Sequence, residues 1–338
     1  MTWRTPASFA IAGVGVGVFH VLTLPLPWLL GPIVACLAAA LAGVSMSGIK
    51  PVNDAMRTVL GVAVGATFTP ALLLGLPAMW PTLILIPVMI IGCAVIGVPY
   101  FRRLWRYDFA TAYYSAMPGG LQDMLVFGEE AGGSVRTLSL VHATRVLVVV
   151  VALPFVLQAV WQADLSQPPG AAVTTIALPQ LGLMVLCAAI GWWGAKRIGL
   201  FGASILGPMI VAAAAALAGL LQYRPPAEAI WAAQFFIGMT VGTQYSGITW
   251  AELRRDVVAA TGYCGILFVL TLILVEIVYV FGLAPGMEAL LAFTPGGQAE
   301  MTVLALIVGA DMAFVIAHHV LRIVTVILGA PIFAKVFR

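Results

Sequence analysis

The sequence predicts an all-α polytopic membrane protein made of two inverted repeats. Each repeat has about five transmembrane helices and one re-entrant hairpin with a Pro-Gly-Gly tip. Three observations predict this fold: the composition, the length of the apolar stretches, and one pattern that occurs twice. Of the 338 residues, 62% are hydrophobic and only 9% are charged. Because soluble domains have about 25% charged residues, this composition excludes a soluble globular domain, and its apolar content excludes a disordered chain.

Ten apolar stretches approach the roughly 20 residues that a membrane-spanning helix needs. They are 7–24, 28–46, 56–76, 81–99, 135–160, 178–195, 203–221, 229–249, 258–281 and 312–334. Two further stretches, 109–131 and 286–308, are apolar but interrupted by Pro and Gly. The four isolated cysteines lie inside apolar runs and indicate neither a disulfide framework nor a metal site.

The duplicated pattern is found by comparing the interrupted stretches. MPGGLQDM at 117–124 returns as TPGGQAEM at 294–301, 177 residues later. The same offset relates His142 to His319 and Arg145 to Arg322, and GVAVG to GMTVG upstream. A fixed offset over this length is the signature of an internal repeat. The predicted organisation is a first membrane repeat at 1–160, a loop at 161–177, and a second membrane repeat at 178–338.

Basic residues predict opposite orientations for the two repeats, because they collect in cytoplasmic loops. In the first repeat they are Lys50, Arg57, Arg102, Arg103 and Arg106, and in the second they are Lys196, Arg197, Arg254 and Arg255. When the positions of one set are shifted by 177 residues, they fall on loops of the other repeat that have almost no basic residues. Arg224 is the exception. This alternation is typical of inverted-topology repeats.

Inversion requires an odd number of crossings in each repeat, so 109–131 and 286–308 are predicted to be re-entrant. Arms of about 10 residues reach about 15 Å, half of a ~30 Å hydrocarbon core, so the two tips are expected to meet near the midplane. Both chain termini, including Lys335 and Arg338, are then cytoplasmic. Twelve crossings with kinked helices remain the alternative.

The tip residues Pro118, Gly119 and Gly120, with Pro295, Gly296 and Gly297, are candidates for a binding site. Proline ends the first arm, and glycine admits unusual backbone angles and the close approach of a ligand. The second arm then begins with free N–H groups, which attract an anion. A structural kink is the alternative.

Asp123 and Glu300 stand three residues after the last glycine of each tip. They suit the capping position of a helix, or they bind a coupling cation or carry a proton, as acids inside membranes commonly do.

Arg145 and Arg322 lie inside apolar helices, with His142 and His319 three residues earlier on the same face. One interpretation is a structural ion pair, Asp123 with Arg145 and Glu300 with Arg322, or crossed between repeats. The other is a substrate clamp, since Arg is well shaped for carboxylate or phosphate.

Two further glycine pairs, Gly61 with Gly65 and Gly238 with Gly242, have the spacing of close helix packing. Because both repeats carry such a pair, we expect them to pack against the hairpins.

The duplicated PGGLxEM-like segments, each followed by His and Arg on a helix, resemble the bacterial AbrB-duplication membrane proteins, a family that also carries an ammonia monooxygenase label. The resemblance spans essentially the whole chain. The sequence departs from the pattern at Asp123, where Glu is expected, and at Gln298, where Leu is expected. The resemblance implies this architecture and a multi-pass protein of the bacterial inner membrane.

The expected function is secondary transport of a small, anionic solute from a midplane site between the two tips, coupled to protons or sodium. A small-molecule sensor or regulator in the membrane is the alternative, followed by a metal-dependent monooxygenase. We expect no enzyme activity, catalytic residue, cofactor or metal ligand, and no nucleic-acid partner. The expected partners are the anion and the lipid bilayer, and a homo-oligomer stays open.

Overall fold

The computed structural model describes residues 4–70, 76–165, 168–200 and 203–334, and every regular element in these ranges is a helix. Five helices are long and apolar enough to cross a membrane: Pro77–Leu104, Val135–Trp161, Leu178–Arg197, Trp250–Val280 and Met312–Ala330. The protein is therefore all-helical, with five candidate membrane-spanning helices among the described residues. The predicted cytoplasmic termini, with Lys335 and Arg338, lie outside those residues.

Seven main helices lie among the described residues of the first half of the chain. They are α1 (Arg4–Val21), α2 (Pro27–Leu41), α3 (Lys50–Gly65), α4 (Leu85–Pro99), α5 (Phe109–Ala116), α6 (Leu121–Glu130) and α7 (Val135–Trp161). Short helical turns at Leu76–Met79 and Trp80–Leu83 lead into α4, and a π-helical turn at Tyr100–Leu104 follows it.

Seven more lie in the part of the second half that the structure describes. They are α8 (Leu178–Arg197), α9 (Ala203–Leu217), α10 (Ala227–Thr243), α11 (Val258–Val280), α12 (Gly286–Phe293), α13 (Gln298–Ile307) and α14 (Met312–Phe333). A 3-10 turn at Val173–Thr175 precedes α8, and a helical turn at Trp250–Glu252 with a π-helical turn at Leu253–Val257 leads into α11.

The helix bounds repeat along the chain. Helices α5 and α6 recur 177 residues later as α12 and α13, and α2 recurs 176 residues later as α9. Each of the ten predicted spans overlaps a helix among the described residues, but several of these helices are shorter than predicted. Helices α2 and α9 have 15 residues each, or about 23 Å, because both end where small residues give way to a glycine turn.

The chain forms two compact units, and each takes segments from both halves of the sequence. The first unit comprises residues 1–76, 154–247 and 299–313, and the second comprises 77–153, 248–298 and 314–338.

In the first unit, glycines bring helix backbones into direct contact. A Cβ on Gly65 of α3 would strike the carbonyl oxygen of Met209 in α9, and one on Gly242 of α10 would lie 2.7 Å from that of Ile33 in α2. The predicted close packing is therefore present, but the expected partner was wrong. Two glycines one turn apart leave room for the backbone of a neighbouring helix. Helix α9 fills this space beside the glycines of α3 and helix α2 fills it beside those of α10, so the interrupted segments do not pack there.

In the second unit, α4 and α11 run antiparallel. The Tyr100 hydroxyl donates to the Ala259 carbonyl at 2.9 Å, and the Tyr263 hydroxyl donates to the Cys93 carbonyl at 3.2 Å. Residues later in α11 therefore contact residues earlier in α4, as in any antiparallel pair of helices. The same unit contains both Pro-Gly-Gly segments, the first between α5 and α6 and the second between α12 and α13.

Candidate functional site

Each Pro-Gly-Gly segment interrupts a helix at the same point. We call 117–120 the first tip and 294–297 the second tip. Helix α5 ends at Ala116 and α6 begins after Gly120, while α12 ends at Phe293 and α13 begins at Gln298. Proline cannot donate to the preceding turn and disfavours helical geometry in the residue before it, so Met117 and Thr294 are both extended.

The tip glycines do not adopt an unusual backbone, and one of them, Gly119, lies close to neighbouring side chains. None of the four has a positive φ, which corrects the expected role of unusual backbone angles. A Cβ on Gly119 would lie 2.9 Å from the side chain of Val326 in α14 and 2.8 Å from that of Met124. The first tip is thus held directly against a helix of the second repeat, and a larger residue at 119 would require the side chains of Met124 and Val326 to move.

Both buried arginines bind the tip of their own repeat. Arg145 donates from Nη1 to the Met117 carbonyl at 3.1 Å and from Nη2 to the Gly119 carbonyl at 2.7 Å. Arg322 makes the equivalent pair of bonds, to the Thr294 carbonyl at 2.9 Å and the Gly296 carbonyl at 3.0 Å. Because the interruption leaves these carbonyls without helical donors, each guanidinium caps a broken helix.

The histidines complete the same arrangement one turn earlier. Nε2 of His142 lies 3.0 Å from the Tyr114 carbonyl, and Nε2 of His319 lies 2.9 Å from the Leu291 carbonyl. Since a carbonyl oxygen can only accept, Nε2 carries the proton in both rings. The predicted shared face of His and Arg is therefore used to hold the last turn of α5 and of α12.

The two arginines have no carboxylate partner. Their exposed fractions are 3% and 2%, and the ion pairs formed by the described residues involve neither of them. The expected pairing of Asp123 with Arg145 and of Glu300 with Arg322 was therefore wrong, because the tip carbonyls take the Nη donors. Nε of each arginine is buried without a hydrogen-bond partner in the described structure.

The two acids occupy equivalent places in the first turns of α6 and α13. Asp123 is half-buried and its Oδ2 has no hydrogen-bond partner in the described structure, whereas Glu300 is 4% exposed. Gly120, the residue before α6, offers no side chain to complete a capping box. Asp123 therefore keeps an oxygen free to take a proton or a cation.

Helix α14 passes both tips. Arg322 binds the second tip, Val326 touches Gly119 of the first tip, and the Ala330 carbonyl accepts from the Tyr113 hydroxyl at 2.9 Å. Arg322 and Val326 are four residues apart, which is about 6 Å along a helix. The two tips, 177 residues apart in sequence, therefore lie within about one helical turn of each other along α14.

Sequence reasoning missed Tyr263 of α11. Its hydroxyl donates to the Ala116 carbonyl at 2.7 Å, at the last residue of α5, and it is fully buried. The residue 177 positions earlier is Ile86, so comparing the repeats could not reveal it. A tyrosine inside an apolar span was the available signal. Ser115, equally buried beside the first tip, has an Oγ with no partner in the described structure.

Comparison with known proteins confirms the family that the sequence resembles. The family model described as "Transition state regulatory protein AbrB" matches residues 28–338. A Bacillus subtilis (strain 168) protein named "Uncharacterized protein YhjN" is 27% identical, covering 96% of this chain and 91% of that protein. An Escherichia coli (strain K12) protein, provisionally described as the regulator AbrB, is 25% identical over 94% of this chain and 91% of its own length. The chain, with its two capped Pro-Gly-Gly tips, belongs to the AbrB family.

Proposed function

We propose that the protein is a secondary transporter of a small anion and that the substrate binds where the two tips meet. One observation carries the proposal: two arginines are buried beside these tips without a carboxylate partner among the described residues. An uncompensated charge inside a membrane protein is costly, and such residues commonly line a substrate or ion pathway. A bound anion would offset this cost.

The tips offer the donors that an anion needs. Each guanidinium keeps Nε–H unused after its two bonds to the tip carbonyls. Helices α6 and α13 also begin at the tips, and the N–H groups of a first helical turn attract negative charge. The side chains and the helix starts therefore favour the same sign of ligand.

Inverted repeats are supported by the direction of equivalent helices in the second unit. Helices α4 and α11 occupy equivalent positions and run antiparallel. Along α7, His142 binds the Tyr114 carbonyl and Arg145 then binds the first tip, so α7 runs from Tyr114 towards that tip. Along α14, Val326 contacts the same tip and the following turn binds Tyr113, so α14 runs from the tip towards Tyr113. Equivalent helices of the two repeats thus point in opposite directions along one segment.

Re-entrant hairpins are supported by the length of the arms. Helix α5 has 8 residues and α6 has 10, which gives about 12 and 15 Å, less than a ~30 Å hydrocarbon core. Two such arms that turn at the tip would enter and leave on one side. The two tips lie close together along α14, which fits hairpins that enter from opposite faces of a bacterial inner membrane.

Asp123 and Glu300 are the proposed sites of coupling. Both stand in the first turn beyond a tip, and in membrane transporters acids at such depth carry protons or bind sodium. Asp123 lies in the same compact unit as both tips and both arginines, so it is the first of the two acids to test.

The test has two stages. Purified protein is screened for anions that raise its melting temperature, with and without sodium at two pH values, since a ligand that binds only the folded state stabilises it. Uptake of each hit is then measured in liposomes, under a sodium gradient or a proton gradient. We expect stabilisation by an anion and gradient-driven uptake. Arg136→Gln on α7 is the control for Arg322→Gln, which should lose both signals.

Stabilisation only by cations would contradict an anion site. If Arg322→Gln does not fold, Arg322→Lys keeps the charge but lacks the rigid fork that reaches two carbonyls from two nitrogens. Anion binding that survives in Arg322→Gln would separate the site from the tips and overturn the proposed location.

A membrane-bound sensor is the second candidate, because the family description and the Escherichia coli relative both name a regulator. A sensor would bind the anion at the same tips without net flux. Stabilisation by an anion that never accumulates in liposomes, under either gradient, would favour the sensor over the transporter.

A further inference from the structure

An open groove lies at the beginning of α11, away from the two tips. Its volume is about 470 Å³, and its lining is almost entirely apolar. The lining residues are Trp250, Leu253, Arg254, Val257, Val258, Thr261 and Gly262. Trp250 is 76% exposed and Val258 is 51% exposed, so the groove opens onto the outer, apolar surface of a candidate membrane-spanning helix.

The backbone at this groove departs from regular helix. Three lining residues, Leu253, Arg254 and Val257, belong to the π-helical turn that precedes α11. The π-helical turn Tyr100–Leu104 adjoins it, since the Tyr100 side chain reaches Gly262. Neither turn has a π-helical counterpart 177 residues away. Because π-helical turns are rare and frequent at functional sites, this end of the unit carries a feature that the duplication does not explain.

The charge at the groove is positive. Arg254 is the charged lining residue; it is exposed and takes part in none of the ion pairs of the described residues. Of the neighbouring acids, Glu252 is bound by Arg136 at 2.6 Å and Asp256 is buried beneath the Tyr107 hydroxyl. Arg102 and Arg103 are exposed on the adjoining π-helical turn. Nothing in this arrangement neutralises Arg254.

We propose that an anionic phospholipid binds this groove, with its phosphate on Arg254 and an acyl chain along Val257, Val258 and Thr261. Trp250 stands at the mouth, and its indole suits the membrane–water interface. An apolar groove that opens towards lipid and ends at an unpaired arginine matches a lipid with a negative headgroup, since basic pockets beside membrane helices bind such headgroups. This site is independent of the proposed transport function.

Native mass spectrometry of the whole protein tests the site directly. The protein is exchanged into phosphatidylglycerol, which is anionic, or phosphatidylcholine, which is zwitterionic, and bound lipid is counted. We expect Arg254→Gln to lower affinity for phosphatidylglycerol about fivefold, the factor that one cationic side chain contributes at an anionic surface. The matched control is Arg197→Gln, which removes another exposed arginine that also lies beside a tryptophan, Trp193.

Val258→Trp tests the groove separately from the charge. Val258 is exposed, so the change should not disturb the core, and the larger side chain should fill the groove and displace the lipid. Equal loss of both lipids in Arg254→Gln, or unchanged phosphatidylglycerol binding, would overturn the proposal. So would binding of inorganic phosphate that Val258→Trp leaves intact, because no acyl chain would be involved. A dimer that Val258→Trp dissociates would show that a second copy fills the groove.

Discussion

Single residues explain why His and Arg recur three positions apart. The Pro-Gly-Gly interruption leaves carbonyls at the end of α5 that no helical N–H can reach. His142 donates to the carbonyl of Tyr114, and Arg145 donates to those of Met117 and Gly119. His319 and Arg322 repeat these bonds on the second segment. The motif therefore caps a broken helix, and any ligand at the tips meets an arginine already fixed in place.

Arg145→Met should destabilise the protein strongly. The change removes both Nη donors and leaves the Met117 and Gly119 carbonyls buried without partners, at about 1–3 kcal/mol each. Arg136→Met is the matched control on the same helix, because it loses an exposed ion pair with Glu252 worth about 0–1 kcal/mol. Thermal unfolding followed by tryptophan fluorescence compares the two. Equal melting temperatures would mean that the tip carbonyls do not need the guanidinium.

The residues of this site could be predicted from the repeat, but their partners could not. A fixed offset picks out the tip glycines, both acids, both histidines and both arginines, which the structure places at equivalent positions. The offset does not say what an arginine binds, because a carboxylate and a backbone carbonyl are both good acceptors. The ion-pair interpretation was wrong because it assumed carboxylate acceptors where the arginines bind backbone carbonyls. Tyr263 was missed because only the second repeat has a tyrosine at this position.

At the scale of elements, the two interrupted segments have the same helix bounds but different anchors. Two tyrosine hydrogen bonds join the first segment to helices of the other repeat: Tyr263 of α11 donates to the end of α5, and Tyr113 of α5 donates to the Ala330 carbonyl of α14. The equivalent carbonyl of the second segment, that of Phe293, accepts from Thr271 at 3.5 Å, a much longer bond. The carbonyl at the end of α5 therefore accepts the shorter of these two hydrogen bonds from α11.

Tyr263→Phe should loosen the first tip and leave the second unchanged. The change removes the donor to the Ala116 carbonyl while keeping the ring, so packing is preserved. Hydrogen exchange at 117–124 should become faster, whereas exchange at 294–301 should stay as in the wild type. Tyr279→Phe controls for the loss of a hydroxyl, since Tyr279 lies exposed on the same helix. Equal acceleration at both tips would contradict an anchor specific to the first segment.

Whole-molecule organisation explains which parts of the architecture the sequence could predict. Composition and apolar length predict the helices, because lipid requires every backbone polar group to be bonded within its own segment. They do not predict that residues from both halves form each compact unit. That mixing arises from side-chain contacts between distant segments, such as Tyr100 with Ala259, and no local pattern encodes them.

Topology is tested with single cysteines at three exposed positions, Arg103, Gln162 and Arg254. If segment 109–131 is re-entrant, only α7 crosses between 103 and 162, and these sites label from opposite sides of the membrane. Arg103 and Arg254 should label from the same side, as the bond between the neighbouring Tyr107 and Asp256 suggests. The wild-type chain gives the background, because its four cysteines are all buried. Labelling of 103 and 162 from one side would mean that the segment crosses, which would overturn the inverted repeats and restore the twelve-crossing alternative.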